Sequence, residues 1–424
     1  MASRSQSIQP HNVQHGTDVL KWVKLSLISF ALVALVGVMM RIKIGWSFPW
    51  LDQKQLQHAH SHFAFAGWIT QTLLLLIATR VWPGQPEADQ RKMRRILLYN
   101  WICAAGMLIA FAMQGYGAVS ISCSTLSIVV FLWAAVYLFR WMRLATPHPA
   151  FGWLRAALWF GLLSTVGTAA LSYMMASHQI TQHNYLAAVY WYLHFQYNGW
   201  FFFGGMALFS WWLTDLTTIP PIPALARHLL VWSCLPAFGL SVLWMHIPLP
   251  LYLLVIIASI AQVAGWGLIL IHVHKYRFFS QLPAQKMLKL LLICISIAVS
   301  IKLLLQLASV IPAVSKLAFG FRPIVVAYLH LVLLAIISLF LMTYLYGKQL
   351  LCQHKMVPKA LLLLLAGIGI NELTLGIQGI ASLQYIAIPF TKELLLFASL
   401  LMLCAIVWLV VMQCQKSSAT QQYL

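Results

Sequence analysis

Six of the fifteen histidines stand where an imidazole could hold a metal. His58, His60 and His62 alternate in the run His58-Ala59-His60-Ser61-His62, His194 and His330 each interrupt a long apolar stretch, and His246 follows Trp244-Met245. Neutral imidazole is a common axial ligand of haem iron and binds copper and zinc readily. On a helix His58 and His62 share a face while His60 points elsewhere, so one helix cannot aim all three at one ion. Such a cluster suits zinc or copper near a surface as well as haem, and each imidazole could instead serve as an interhelical hydrogen-bonding group. The seven cysteines form no CxxC pair and no CxxCH motif, which implies neither a disulfide framework nor c-type haem.

The elements that must position these residues are membrane helices. Of 424 residues, 62% are hydrophobic and only 8% charged, whereas a soluble domain carries roughly a quarter charged residues. Too few polar residues remain to cover the surface of a soluble globule. Apolar runs of about 20 residues, the length of a helix that crosses hydrocarbon, begin near Lys21, Gln57, Arg95, Val119, Trp153, Tyr185, Arg227, Leu249, Met287, Arg322, Lys359 and Glu393. The sequence therefore predicts an all-α, polytopic membrane bundle of about 12 transmembrane helices. Residues 1–20 read as a polar N-terminal segment without a cleavable signal pattern, 21–414 as one membrane domain, and 415–424 as a tail.

Charge sets the expected orientation. Lys and Arg total 27 against 7 Asp and Glu. With spans as above, 20 of the basic residues fall on the side of the two termini and 6 on the other, leaving Lys302 inside a span. The excess puts both termini in the cytoplasm of an inner or plasma membrane. The positive charge then needs no nucleic-acid partner, because topology and anionic-lipid contact explain it. In this frame His58, His60, His62, His194, His246 and His330 all lie in the outer half of the bilayer or at its outer surface, brought there by four different helices.

Intramembrane ionisable groups are costly and point to function. Lys302 and Glu372 fall at equal depth on helices expected to run outward, so an ion pair or a proton-relay element is one reading, and a structural polar cluster with Gln306 and Asn371 is the other.

Several of these stretches resemble subunit I of the haem-copper oxidases, the family that includes the nitric oxide reductases. Its tenth span carries a VVAHFHxVL motif, and this chain reads Val325-Val326-Ala327-Tyr328-Leu329-His330-Leu331-Val332-Leu333. His330 matches the low-spin haem ligand, and Tyr328 replaces the ligand of the active-site haem. His62-Phe63-Ala64-Phe65-Ala66-Gly67-Trp68 is similar to the family's second-span motif, which supplies the opposing low-spin ligand. His194, in Trp191-Tyr192-Leu193-His194, resembles the copper ligand of the sixth span, and Trp244-Met245-His246-Ile247 resembles the WxHH motif with its second histidine lost.

The resemblance implies a b-type haem between His62 and His330, with His58 or His60 as neighbouring register choices, and at most a two-histidine copper site at His194 and His246. The implied function is a haem-b membrane protein with a degenerate oxidase fold, acting in electron transfer or in nitric oxide or oxygen chemistry. If it is an enzyme, it is an oxidoreductase but not a conventional terminal oxidase. Expected partners are the lipid bilayer, a redox donor such as a quinol or cytochrome, and further membrane subunits. Two alternatives remain open from the residues alone: a cofactor-free transporter or scaffold built on Lys302 and Glu372, and a copper-handling membrane protein.

Overall fold

A computed structural model describes residues 10–421 apart from 47–48, 217–218, 283–284 and 316–320, and side chains 10–17, 176 and 416–421 are likewise outside the description. Part of the predicted polar N-terminal segment and of the C-terminal tail thus lies outside the described residues. Among the described residues the chain is entirely helical, with no strand. The helices are α1 (Pro10–Gly45), α2 (Gln53–Val81), α3 (Glu87–Gln114), α4 (Ala118–Leu144), α5 (Ala150–Ala176), α6 (182–215), α7 (Ala224–Cys234, continued by a tighter turn over Pro236–Val242), α8 (Leu249–Lys275), α9 (Lys286–Ala308), α10 (Arg322–Gly347), α11 (Val357–Leu383) and α12 (Thr391–Gln421).

Ten of these are long and apolar enough to cross a bilayer, and bent α7 makes an eleventh if its two pieces count as one span. The protein is a multi-pass membrane protein. Helix α6 runs unbroken from 182 to 215, but its Tyr, Trp, Gln, Asn and His residues leave it less hydropathic than the ten. Helix α1 starts at Pro10, before the expected Lys21, and continues to Gly45. Arg41, near its end, is therefore a helical residue.

Helix α7 bends by 43° between Cys234 and Pro236. Proline has no N–H to continue the helical ladder and disfavours a helical residue before it. Phe238 N–H bonds the Leu235 carbonyl rather than that of Cys234, which releases the Cys234 oxygen for another donor.

Helix α2 is the most enclosed span, with 78% of its apolar window buried against 28–44% for the other nine. Its basic-end residue Arg80 reaches Asp215 at the end of α6 and Tyr344 near the end of α10, and Lys348 joins the same carboxylate. Three central helices are thus tied at one end by one acidic group. Outward-facing Leu, Ile and Val on the peripheral helices, such as Ile109, Val129, Ile257 and Ile380, are exposed as lipid contact requires.

Those same three helices each contain a wide π-type segment: Ala64–Thr70 in α2, Phe195–Phe201 in α6 and Leu331–Ser338 in α10. Each begins one or two residues after a histidine singled out in the sequence, namely His62, His194 and His330. Single-turn π segments insert an extra residue, shift the side-chain register and leave carbonyls for lateral donors. Asn100 of α3 donates to the Ala66 carbonyl at 3.0 Å, and Ser338 Oγ donates to the Leu333 carbonyl at 2.7 Å. The segments are also joined to one another: Trp68 Nε1 donates to Ser338 Oγ at 2.9 Å, and Trp200 Nε1 donates to Thr70 Oγ1 at 3.2 Å.

Candidate functional site

The histidine run sits in the first three turns of α2. Asp52 starts the helix, its carboxylate accepting from Lys54 N at 2.8 Å and Gln55 N at 2.9 Å. Side chains four apart share a face, and the structure follows that rule. His62 stacks on Phe111 of α3 with ring centres 4.2 Å apart, and His58 stands edge-on to Tyr116 at 4.7 Å. His60 turns the other way, toward α1. Its Nδ1 lies 3.1 Å from the Val33 carbonyl oxygen, and its Cε1 lies 3.4 Å from where a side chain on Gly37 would begin.

A carbonyl can only accept, so the Nδ1 of His60 carries the proton and Nε2 keeps its lone pair. His330 of α10 repeats the arrangement: its Nδ1 lies 2.8 Å from the Val326 carbonyl oxygen one turn back. Among the described residues no protein group bonds the Nε2 of either ring. His330 lies within electrostatic reach of His60, and both are within reach of Arg41 of α1. Of the three helix-2 imidazoles, His60 is the one within electrostatic reach of His330. The expected partner, His62, faces α3.

The first part of α10 is only partly covered. Arg322–His330 contains no fully buried residue, although it belongs to a central helix. On α1, position 37 has no side chain, and the His60 ring lies against it. Two neutral imidazoles offering unbonded Nε2 atoms, their tautomers fixed by main-chain carbonyls, are the donor type that a six-coordinate haem would take, and Arg41 is a cation within reach of both. In donor chemistry His60 and His330 fit a haem.

The two histidines matched to copper ligands are placed differently. His194 is 1% exposed, and both of its ring nitrogens are occupied. Nε2 donates to the Cys234 carbonyl oxygen at 2.9 Å, the oxygen released by the α7 bend, and Nδ1 accepts from Asn198 Nδ2 at 3.1 Å. Binding a metal would cost His194 one of these bonds. His246 lies exposed in the segment after Val242. Among the described residues no three His, Cys, Asp or Glu side chains converge as metal ligands. Tyr328 approaches Tyr197 of α6, with ring centres 6.3 Å apart.

Lys302 and Glu372 have different surroundings and do not form an ion pair. Lys302 is 6% exposed, its Nζ sits 5.7 Å from the centre of the Phe202 ring, and the groups that feel its charge are His194 and Cys234. Glu372 accepts from Asn371 Nδ2 at 3.1 Å and lies within reach of Arg41. Glu372 thus belongs with the His60–His330 group and Lys302 with the His194 group.

His62 faces a cavity of about 60 Å³ with Asn100, Ser124, Thr165, Tyr192 and Gln196 in its wall, room for a few waters by volume and far short of a haem.

The residues that sequence reading missed are Gly37, Arg41, Asn198 and Cys234. Pro236 could have revealed the freed Cys234 carbonyl. The helical continuation of α1 through Arg41 had no comparable signal. Comparison with models of known protein families gives no match, and comparison with curated proteins gives none.

Proposed function

We propose that this chain is an integral-membrane haem-b protein whose iron is held by Nε2 of His60 and Nε2 of His330. The observation that carries the proposal is the shared tautomer: each ring gives Nδ1–H to a carbonyl and leaves Nε2 unbonded. The likeness of Val325–Leu333 to the tenth-span motif of haem-copper oxidase subunit I supports the reading, as do three central helices modified by π segments. The proposal includes twelve spans, counting α6 and bent α7, with both termini in the cytoplasm of an inner or plasma membrane.

When bound, haem supplies one-electron redox chemistry. The chain's own residues hold and orient it. Val33 and Val326 carbonyls fix the ring planes and raise the basicity of the ligating nitrogens. Arg41 balances negative charge, while Glu372 and Asn371 set the polarity on the α11 side. Held by both His60 and His330, such a group would pass electrons rather than bind a gas. His194 is committed to Cys234 and Asn198, and Tyr328 occupies the place of the second haem's ligand. These two features support electron transfer over the dioxygen chemistry of a terminal oxidase, with a quinol, a cytochrome or another membrane subunit as the donor.

Absorbance of the purified protein tests this reading. Reduction by dithionite is expected to sharpen α and Soret bands of b-type, six-coordinate haem, unchanged by carbon monoxide. A preparation from haem-replete cells that shows no such bands would overturn it.

A further inference from the structure

At the basic end of the bundle, far along the chain from the histidine group, a cavity of about 540 Å³ opens between the α4–α5 turn and the start of α7. Its wall includes Arg143 from the end of α4, Arg155 from the second turn of α5, Arg227 from the first turn of α7, and His148 and Gly152. No carboxylate lines it. We propose that this cavity binds a phosphate group, and the apolar surface beside it favours the phosphate of an anionic phospholipid.

Charge bookkeeping over the whole chain supports this. The sequence holds seven Asp and Glu residues, and each is placed elsewhere. Asp18 pairs with Arg94, Asp52 caps α2, Glu87 and Asp89 pair with Arg91 and Lys92, and Asp215 holds Arg80 and Lys348. Glu372 sits with Asn371 and Arg41, and Glu393 opens α12. No side-chain carboxylate is left for Arg143, Arg155 and Arg227; the first two are exposed and the third half-buried, so all three can meet an anion from outside the chain.

The arrangement is also built rather than incidental. The Arg227 guanidinium lies over the first turn of α5, where a side chain on Gly152 would meet its Nη1 at 2.8 Å and its Cζ and Nε at 2.9 Å. Arg227 is thereby folded into the wall instead of extending into solvent. His148 braces the turn: its Nδ1 accepts from Ala150 N at 3.1 Å, and its Nε2 lies 3.1 Å from Thr214 Oγ1. The start of α5 adds the positive end of its helix dipole. Guanidinium groups suit phosphate because their planar forks donate two parallel hydrogen bonds.

The lipid source is favoured by what adjoins the cavity. Trp159 lies one turn beyond Arg155 on the same face of α5 and is 64% exposed, and on α7 Leu225 and Trp232 are 60% and 75% exposed. An acyl chain can follow these residues from a headgroup at the arginines. Basic pockets between membrane helices are known to take such headgroups. The inference does not depend on the haem reading.

Native mass spectrometry of the protein in mixed detergent–lipid micelles provides the test. Phosphatidylglycerol is expected to be retained at least tenfold more than phosphatidylcholine in the wild type. Arg155→Gln and Arg227→Gln, singly and together, should remove that preference, and Gly152→Ala should weaken it by displacing Arg227. Arg91→Gln, at the same end but outside the cavity, should leave it intact. Competition by inorganic phosphate, with no preference between the two lipids, would assign the same site to a soluble phosphoanion. Equal retention of both lipids without phosphate competition would overturn the proposal. So would a loss in Arg91→Gln equal to that in the double variant. The lipid-competition measurement on the wild type needs no variant to fold.

Discussion

His60 and His330 meet the main chain in the same way: His60 Nδ1 gives its proton to Val33 O at 3.1 Å and His330 Nδ1 to Val326 O at 2.8 Å. One carbonyl comes from a neighbouring helix and the other from the preceding turn of the same helix. Both leave Nε2 as a lone-pair donor that no protein group bonds among the described residues. Two such groups within electrostatic reach of each other make the bis-imidazole site the most economical reading of the molecule.

Arg41 gives that site a measurable electrostatic handle. A positive charge near the iron disfavours the ferric form, so Arg41→Gln is expected to lower the midpoint potential by tens of mV, about what Coulomb's law gives for a unit charge roughly 10 Å away at an effective dielectric near 20. A spectroelectrochemical titration reads the shift. An unchanged or raised potential would remove Arg41 from the site.

The His194 network is structural in this reading. Asn198→Ala leaves Nδ1 of a buried imidazole without its donor, which should cost about 1–3 kcal/mol, the usual penalty for an orphaned buried polar group. Thermal melting followed by tryptophan fluorescence measures the loss. Copper titration of the wild type and of His194→Ala is expected to give the same weak binding. A stoichiometric copper lost in the variant would restore the copper site that the hydrogen bonds argue against.

His148 lies in the turn between α4 and α5, outside the membrane-spanning helices, and its acidity can be tested. Burial, reinforced by the charge of Arg80, lowers its pKa from the ordinary 6.5, with Asp215 opposing in part. The folded state therefore holds the neutral ring, which fits an Nδ1 that accepts from Ala150 N. Its contribution is full above the unfolded pKa and declines as pH falls below about 6.5, since the unfolded chain then binds the proton more readily. His148→Asn, whose side-chain oxygen can still accept at that position, should flatten the decline of melting temperature between neutral and mildly acidic pH. A variant with the same slope as the wild type would show that His148 does not titrate differently on folding.

Much of the architecture was legible in the sequence because hydrocarbon imposes few solutions. Long apolar runs marked the helices, and the four-residue spacing of His58 and His62 placed them on one face of α2. What was not legible was register. The sequence likeness pointed to His62 opposite His330, but a two-residue difference on a helix turns a side chain by about 200°, and His60 is the residue that turns toward α1 and Arg41. The π segments also escaped, since no local propensity marks them. They are stabilised by distant donors such as Asn100, Trp68 and Trp200, which only the packed bundle brings into place. Lys302 and Glu372 were matched by depth, whereas their separation around the bundle depends on helix rotation, which depth does not reveal.

The most direct test is haem per polypeptide, measured as the pyridine haemochrome, in the wild type and in His60→Ala, His62→Ala and His330→Ala purified in the same way. One haem per chain is expected in the wild type and in His62→Ala, with loss of haem or of its low-spin spectrum in His60→Ala and His330→Ala. Haem retained unchanged in His60→Ala but lost in His62→Ala would contradict the His60–His330 assignment, and no haem in the wild type would contradict the haem reading altogether.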